Sequence, residues 1–227
     1  MKLKIANTGS YGNGYVLGND NEALILEVGV KFSEIKQLCD FHISHINGIL
    51  VTHKHSDHYR YFNEYKDCGI DTLRPWIDNV SSKKFGNFYV QPFEVPHCKD
   101  VKCFGFYINH IDLKRCLFIT DCEYVPFDFK PLLIDHIIVE CNYCSDLVTE
   151  NARNVEHKLK GHMSLDTCKE FIRHVKTDDL KTITLIHLGR FADEERILTE
   201  IKEIVGNNVT VNIAKKGMTI ELGGTNE

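Results

Sequence analysis

The chain has 227 residues, with 27 Lys and Arg against 32 Asp and Glu, a formal net charge of −5 with histidine neutral. With 43% hydrophobic and 26% charged residues it can bury a core, which excludes a disordered chain. Net negative charge without a Lys/Arg block excludes a protein that coats long nucleic acid through bulk charge, though not one with a local cationic site.

Apolar runs between Gly- and Asn-rich turns predict strands at Leu3–Ala6, Tyr15–Leu17 and Ala23–Glu27. A helix follows over 33–39, then a short buried strand at Gly48–Thr52 and a helix from Ser56 to about Cys68, with Ser56 as N-cap. Strands are expected at 87–95, 102–110, 115–120 and 136–140. Leu165, Cys168, Phe171, Ile172 and Val175 recur at helical spacing, which predicts a helix over 164–175. Thr182–Leu188 reads as a buried strand, 193–204 as a helix, and 209–213 with 217–221 as a closing pair of strands. No linker, repeat or low-complexity segment interrupts the chain, so 1–227 is taken as a single domain. Hairpins first, then strands alternating with helices, fit two sheets covered outside by helices.

No stretch of about 18 apolar residues occurs, and the start, Met1-Lys2-Leu3-Lys4, has no leader-like apolar core; a cytoplasmic protein without a membrane span is expected. Nine cysteines in a chain of this length do not form a disulfide-stapled scaffold, and reduced thiols are expected. Cys141-x-x-Cys144 is a lone pair without the second half of a zinc ribbon, a weak signal for structural zinc or redox chemistry.

Twelve histidines are unevenly spread. His53-Lys54-His55-Ser56-Asp57-His58 follows the apolar run Gly48-Ile49-Leu50-Val51, too concentrated for core packing. At a strand-to-helix turn, His53 and His55 can reach one point while Asp57 and His58 reach another. Imidazole nitrogen with carboxylate oxygen is a zinc-type donor set. The alternative is a solvated His-rich loop.

His-x-His-x-Asp-His after an apolar strand resembles the metallo-β-lactamase fold, an α/β four-layer αββα sandwich of dinuclear metallohydrolases. The later ligands of that fold have counterparts in order: His97 after Val95-Pro96, Asp121 after Phe118-Ile119-Thr120, and His187 after Leu185-Ile186. The resemblance implies one metal held by His53, His55 and His97 and a second by Asp57, His58 and His187, with Asp121 bridging. Two divalent ions less two carboxylates leave a local charge of about +2 with neutral histidines, so an acidic protein can still hold an anion. Asp121 stands where β-lactam-cleaving members carry Cys, and His55 where flavodiiron relatives carry Glu. The resemblance therefore points to two Zn2+, with Mn2+ as the alternative, and to phosphodiesters hydrolysed by a metal-bridging hydroxide.

Glu140 ends the apolar stretch Ile137-Ile138-Val139, and Gly161-His162-Met163-Ser164 precedes a helix. Both resemble stretches of the ribonuclease Z and exonuclease-like branch. By that resemblance His162 would bond a phosphate oxygen or protonate the leaving oxygen, and Glu140 would orient it, making Asp57, His162 and Glu140 the catalytic candidates. The plainer readings are a helix-entry histidine with Ser164 as cap and a buried strand-end acid. Asn7–Gly14 resembles the hairpin that opens this branch, although Gly and Asn are default turn residues. Tyr124, Tyr143 and Phe191 could stack a base, or simply pack. His42, His45, His110, His136, His157 and His174 lack companions and read as surface or core residues.

Within that branch the chain resembles two compact groups: YycJ-like single-stranded DNA exonucleases and phage anti-Pycsar phosphodiesterases, which open cyclic nucleotides and act as homodimers. The Asn7-Thr8-Gly9-Ser10 start, small size and the absence of a basic stripe favour the second. The expectation is thus a small anionic nucleotide substrate, a homodimer, no extended nucleic-acid surface and no membrane partner, in a host cytoplasm if the chain is viral. The alternatives are an exonuclease or RNA-processing nuclease, and a nucleic-acid-binding repair module without turnover.

Overall fold

Successive residues of the central strands face two apolar environments rather than core and water, so these strands are buried on both sides. A computed structural model describes residues 1–148 and 160–223 and shows where the two faces go. The first sheet contains β1 (Lys2–Asn7), β2 (Gly14–Gly18), β3 (Ala23–Leu26), β4 (Ile46–Leu50), β5 (Thr72–Leu73) and β13 (Thr219–Glu221), in the order β13-β1-β2-β3-β4-β5. The second contains β6 (Lys83–Phe85), β7 (Phe88–Val95), β8 (Cys103–His110), β9 (Lys114–Ile119), β10 (His136–Glu140), β11 (Thr182–Ile186) and β12 (Thr210–Ile213), in the order β12-β11-β10-β9-β8-β7-β6. Helices are α1 (Phe32–Leu38), α2 (Ser56–Tyr59), α3 (Phe62–Lys66), α4 (Pro75–Asp78), α5 (Leu165–Val175) and α6 (Glu194–Val205).

Three apolar clusters fill the three gaps between four layers. Leu3, Ile5, Leu24 and Leu26 of the first sheet meet Phe106, Phe118, Ile138 and Ile186 of the second between the sheets. Alternate residues of the first sheet, Val16, Ile25 and Ile49, pack outward on Phe32 and Ile35 of α1 and Phe62 and Tyr65 of α3. Ile119, Val139 and Leu185 pack outward on Phe171 and Ile172 of α5 and Ile197 and Ile201 of α6. This is the expected αββα sandwich. Each fully buried Leu, Ile or Phe contributes about 1.5–3 kcal/mol, so the alternation is strongly specified.

Strand directions gather the site. β7 and β9 both run antiparallel to β8, and β10 and β11 run parallel to β9, so all four end at one edge. In the first sheet β3 and β4 are parallel, and β1 shares their direction because both β1 and β3 run antiparallel to β2. The C-terminal ends of parallel strands are where open α/β sheets place ligands.

The structure changes several sequence expectations. The helix expected from Ser56 to Cys68 is two short helices, and the N-cap position belongs to His55, with Ser56 as first helical residue. A continuous helix would give the Asp57 carbonyl to the Tyr61 amide; instead that carbonyl accepts from Asn13 N at 2.7 Å, and Tyr61 N donates to Val28 O at 3.1 Å. The closing strands do not pair: β12 lies parallel to β11, whereas β13 crosses to the other sheet and runs antiparallel to β1. Strands expected to reach Glu27 and Leu188 stop at Leu26 and Ile186, because Glu27 and His187 have φ of 68° and 53°. β5, α4 and β6 were not anticipated. All nine cysteines are free, and no helix among the described residues is long and apolar enough to cross a membrane. His157 lies outside the described residues.

Candidate metal centre and adjoining cavity

Seven histidine and aspartate side chains from four strand ends converge at that edge. The turn after β4 supplies His53, His55, Asp57 and His58; His97 follows β7, Asp121 follows β9 and His187 follows β11. Donor atoms of His53, His55, His97 and Asp121 lie within 4.8 Å of one another, and so do those of Asp57, His58, Asp121 and His187. Asp121 belongs to both groups: its Oδ2 is 3.9 Å from His53 Nε2, and its Oδ1 is 3.2 Å from His58 Nε2 and 3.6 Å from His187 Nε2. Asp57 Oδ2 lies 3.3 Å from His58 Nε2 and 3.4 Å from His187 Nε2. His97 Nε2 and His55 Nδ1 are 3.1 Å apart.

The outward ring nitrogens are held. His53 Nδ1 meets Thr52 Oγ1 at 2.9 Å, His97 Nδ1 meets Gly161 O at 2.8 Å, His187 Nδ1 meets Glu140 Oε1 at 2.9 Å, and His58 Nδ1 faces Glu27 Oε2 at 3.4 Å. These contacts fix the rings with Nε2 turned inward, where a neutral ring would offer its lone pair to a cation, the arrangement that orients histidine ligands. Two backbone features hold this frame. Gly161 has φ of +88°, and a Cβ there would stand 2.4 Å from His97 Nδ1. A Cβ on Gly29 would stand 1.6 Å from Asp57 O, so only glycine lets the His-rich turn pass. Asp121, like Glu27 and His187, is left-handed, with φ of 51°. Non-glycine residues in that region cost about 1–3 kcal/mol and gather at functional sites.

Charge is balanced by protons when no cation is bound. Burial disfavours the charged form of His58, but the carboxylates of Asp121 and Glu27 outweigh it and hold its pKa well above the ordinary value. His187 is likewise raised to about 10: burial opposes, and Asp121, Asp57 and Glu140 prevail. Asp121 is held well below the usual carboxylate range, since the histidines around it, His187 first, overcome its burial. His53 is pushed well down by burial and by neighbouring His58, so it is a neutral donor. Its Nε2 is buried without any hydrogen-bond partner, which is costly unless a cation takes the lone pair. A buried, unpaired imidazole nitrogen beside the Asp121 carboxylate and two further histidines fits a divalent metal of the zinc class.

Glu140 and His162 adjoin this cluster, as the sequence suggested. Burial raises the Glu140 carboxyl, but His162 and His187 more than offset this and keep it below its ordinary value. It accepts from His162 Nδ1 at 2.7 Å and from Met163 N at 2.8 Å. His162 Nδ1 is 3.9 Å from Asp121 Oδ2, and its ring stacks on His187 with centroids 5.3 Å apart. Ser164 caps α5 by accepting from Thr167 N.

A cavity of about 580 Å³ opens beside His162, bounded by Thr8–Tyr11, Asn142 and Leu188–Phe191. Of the three aromatics singled out in the sequence, Phe191 lines it; Tyr124 is exposed and Tyr143 half-buried, neither in its lining. The opening hairpin is part of the site through side chains: Asn13 Nδ2 lies 3.0 Å from His58 Nε2, and Thr8 Oγ1 accepts from His187 N at 2.9 Å. The Gly9 and Gly12 amides are used within the turn, on Asn13 Oδ1 and Gly9 O. Sequence reasoning missed Glu27, although it ends an apolar strand just as Glu140 does. It also missed Asn142, whose Nδ2 donates to His187 O at 2.8 Å. The other histidines lie apart from the cluster: His110 pairs with Glu22, His136 with Thr182, His174 with Asp128, and His42 stacks on His45. Cys141 and Cys144 are buried in the core outside the second sheet.

No protein-family model matches the chain. It is 25% identical to the exodeoxyribonuclease YycJ of Bacillus anthracis over 97% of this chain and 92% of that protein. Among solved structures it resembles the metallo-β-lactamase fold protein YhfI of Bacillus subtilis, with a TM-score of 0.72 and 17% identity over 97% of this chain and 99% of that one. The short form of human tRNase Z superposes with a TM-score of 0.64 at 15% identity, over 98% and 99% of the two chains. The chain has the metallo-β-lactamase α/β sandwich fold.

Proposed function

We propose that this protein is a divalent-metal-dependent phosphodiester hydrolase that shortens single-stranded DNA from an end. The observation that carries the reading is the convergence of seven donors in two groups that share Asp121, with the Glu140–His162 pair alongside. Likeness to an exodeoxyribonuclease over nearly the whole of both chains supports DNA as substrate. It shifts preference from the cyclic nucleotide that resemblance, size and charge suggested.

In this reading His53, His55 and His97 would hold one ion and Asp57, His58 and His187 a second, with Asp121 available to either, and zinc would be preferred to manganese for the histidine-rich set. Bound ions would supply Lewis-acid stabilisation of charge at phosphorus and make water acidic enough to act at neutral pH. His162 donates its Nδ1 proton to Glu140, which leaves Nε2 for the cavity that the residue lines. From there it bonds a phosphate oxygen or delivers a proton to the departing oxygen, work for which a charged imidazole is suited. Burial lowers its pKa, but Glu140 raises it by more, so the ring is charged more readily than an ordinary histidine.

The test is metal-loaded protein incubated with single-stranded DNA, duplex DNA and 3′,5′-cyclic nucleotides, each with and without chelator. Chelator-sensitive release of mononucleotides from single-stranded DNA is expected. Intact DNA with rapid opening of cyclic nucleotides would establish the second reading, which the net charge of −5 favours. DNA retained in a salt-dependent manner and never cut would leave a binding module.

A further inference from the structure

We infer that the cavity at the His187 end of the donor cluster is a subsite for one nucleotide, with Arg190 holding a phosphate and Phe191 and Tyr11 offering aromatic surface to the base. The inference rests on the phosphodiester reading for its orientation, because the cavity shares His162 with the candidate centre. Its volume of about 580 Å³ is in the range of small-ligand sites.

Three features of its wall point to a nucleotide. Arg190 is exposed, and no carboxylate lies within ion-pair reach of it among the described residues. Its guanidinium instead rests 4.5 Å from the centre of the Phe191 ring, so a cation is already positioned on the cavity wall. A planar five-donor guanidinium suits phosphate better than a point charge does. Tyr11 is 91% exposed on the opposing hairpin, an aromatic left in water where a base could cover it. Asn142 and Thr8, which also line the cavity, are tied to His187, so occupancy here sets a phosphate beside the donors. The same chemistry could serve the end of a strand or a free cyclic nucleotide; the strand end is assigned here, in keeping with the exonuclease reading.

The experiment is calorimetric titration of the metal-loaded protein with dAMP, 3′,5′-cyclic AMP and inorganic phosphate, in the wild type and in Arg190→Ala, Arg190→Lys and Phe191→Ala. Arg190→Ala should weaken dAMP binding about tenfold, with Arg190→Lys recovering part of it. Phe191→Ala should weaken dAMP about fivefold or more while leaving inorganic phosphate unaltered. Equal dAMP affinity in wild type, Arg190→Ala and Phe191→Ala would overturn the subsite, as would no binding to the wild type. Tighter binding of cyclic AMP than of dAMP would overturn its assignment to a strand end. DNA cleavage in the same preparations separates the two ideas. Cleavage with dAMP binding indifferent to both residues removes the subsite alone; binding that needs both residues without cleavage keeps the subsite and removes the hydrolase.

Discussion

Replacing Glu140 by Gln keeps the size of the side chain and removes one acceptor. Glu140 is fully buried: its Oε1 accepts from His162 Nδ1 at 2.7 Å and Asn142 Nδ2 at 3.5 Å and lies 2.9 Å from His187 Nδ1, and its Oε2 accepts from Met163 N at 2.8 Å. An amide has a single acceptor oxygen. If that oxygen serves the two imidazoles, its NH2 meets the Met163 amide donor to donor; if it serves Met163, both imidazoles lose their partner. At least one buried donor is left unpaired, at about 1–3 kcal/mol. For a protein of this size that lowers Tm by about 2–12 °C. Loss of a partner that orients a ligand also lowers activity about 10–100-fold. Because Glu140 acts through His162 and His187, the loss should fall on kcat, with KM for single-stranded DNA near wild type. Thermal unfolding, metal analysis and steady-state kinetics on one preparation give all three readouts. A variant that loses stability but keeps wild-type kcat and full metal content would show Glu140 to be structural and would refute its role in orienting His162.

Asp121→Ala removes the carboxylate shared by both donor groups; it should lower bound metal by elemental analysis and reduce hydrolysis by about three orders of magnitude or more. Asp57→Ala should also abolish hydrolysis, since it strips the second donor group of its own carboxylate. Gly161→Ala places a Cβ 2.4 Å from His97 Nδ1 at φ of +88°; it should cost about 1–3 kcal/mol in urea unfolding and weaken metal about tenfold by titration. His136 is held to about pKa 4, chiefly by burial, against an unfolded value near 6.5. Its contribution is complete above the unfolded pKa and is lost as pH falls from there towards 4, about 3 kcal/mol in all. His136→Asn should flatten that part of the stability curve relative to wild type.

The layers were legible because their cause is local: apolar runs and helical spacing specify which faces are buried, and burial is what makes a sandwich. The seven donors were legible because four share one dense motif and three follow closely on strands. What escaped depends on contacts distant in sequence. Nothing near Tyr61 announces that the Asp57 carbonyl is taken by Asn13, so the helix break could not be foreseen. Nor does the sequence around 214–218 reveal that the chain crosses from one sheet to the other. The apolar runs extend the predicted strands over Glu27 and His187 because those residue types say nothing of positive φ. The strands end early where the backbone turns side chains into the site, so these overruns marked function. Arg190 carried no motif; only the cavity gives it meaning.

The hairpin between β1 and β2 has two duties. Thr8 to Tyr11 form a wall of the cavity, while Thr8 and Asn13 brace His187, His58 and Asp57. A ligand that orders this hairpin therefore also orders the metal donors, and a metal that orders the donors prepares the wall. Linkage makes that coupling reciprocal: whatever factor metal adds to nucleotide affinity, nucleotide must add to metal affinity. Scarce metal would then be retained best by protein molecules already engaged with substrate.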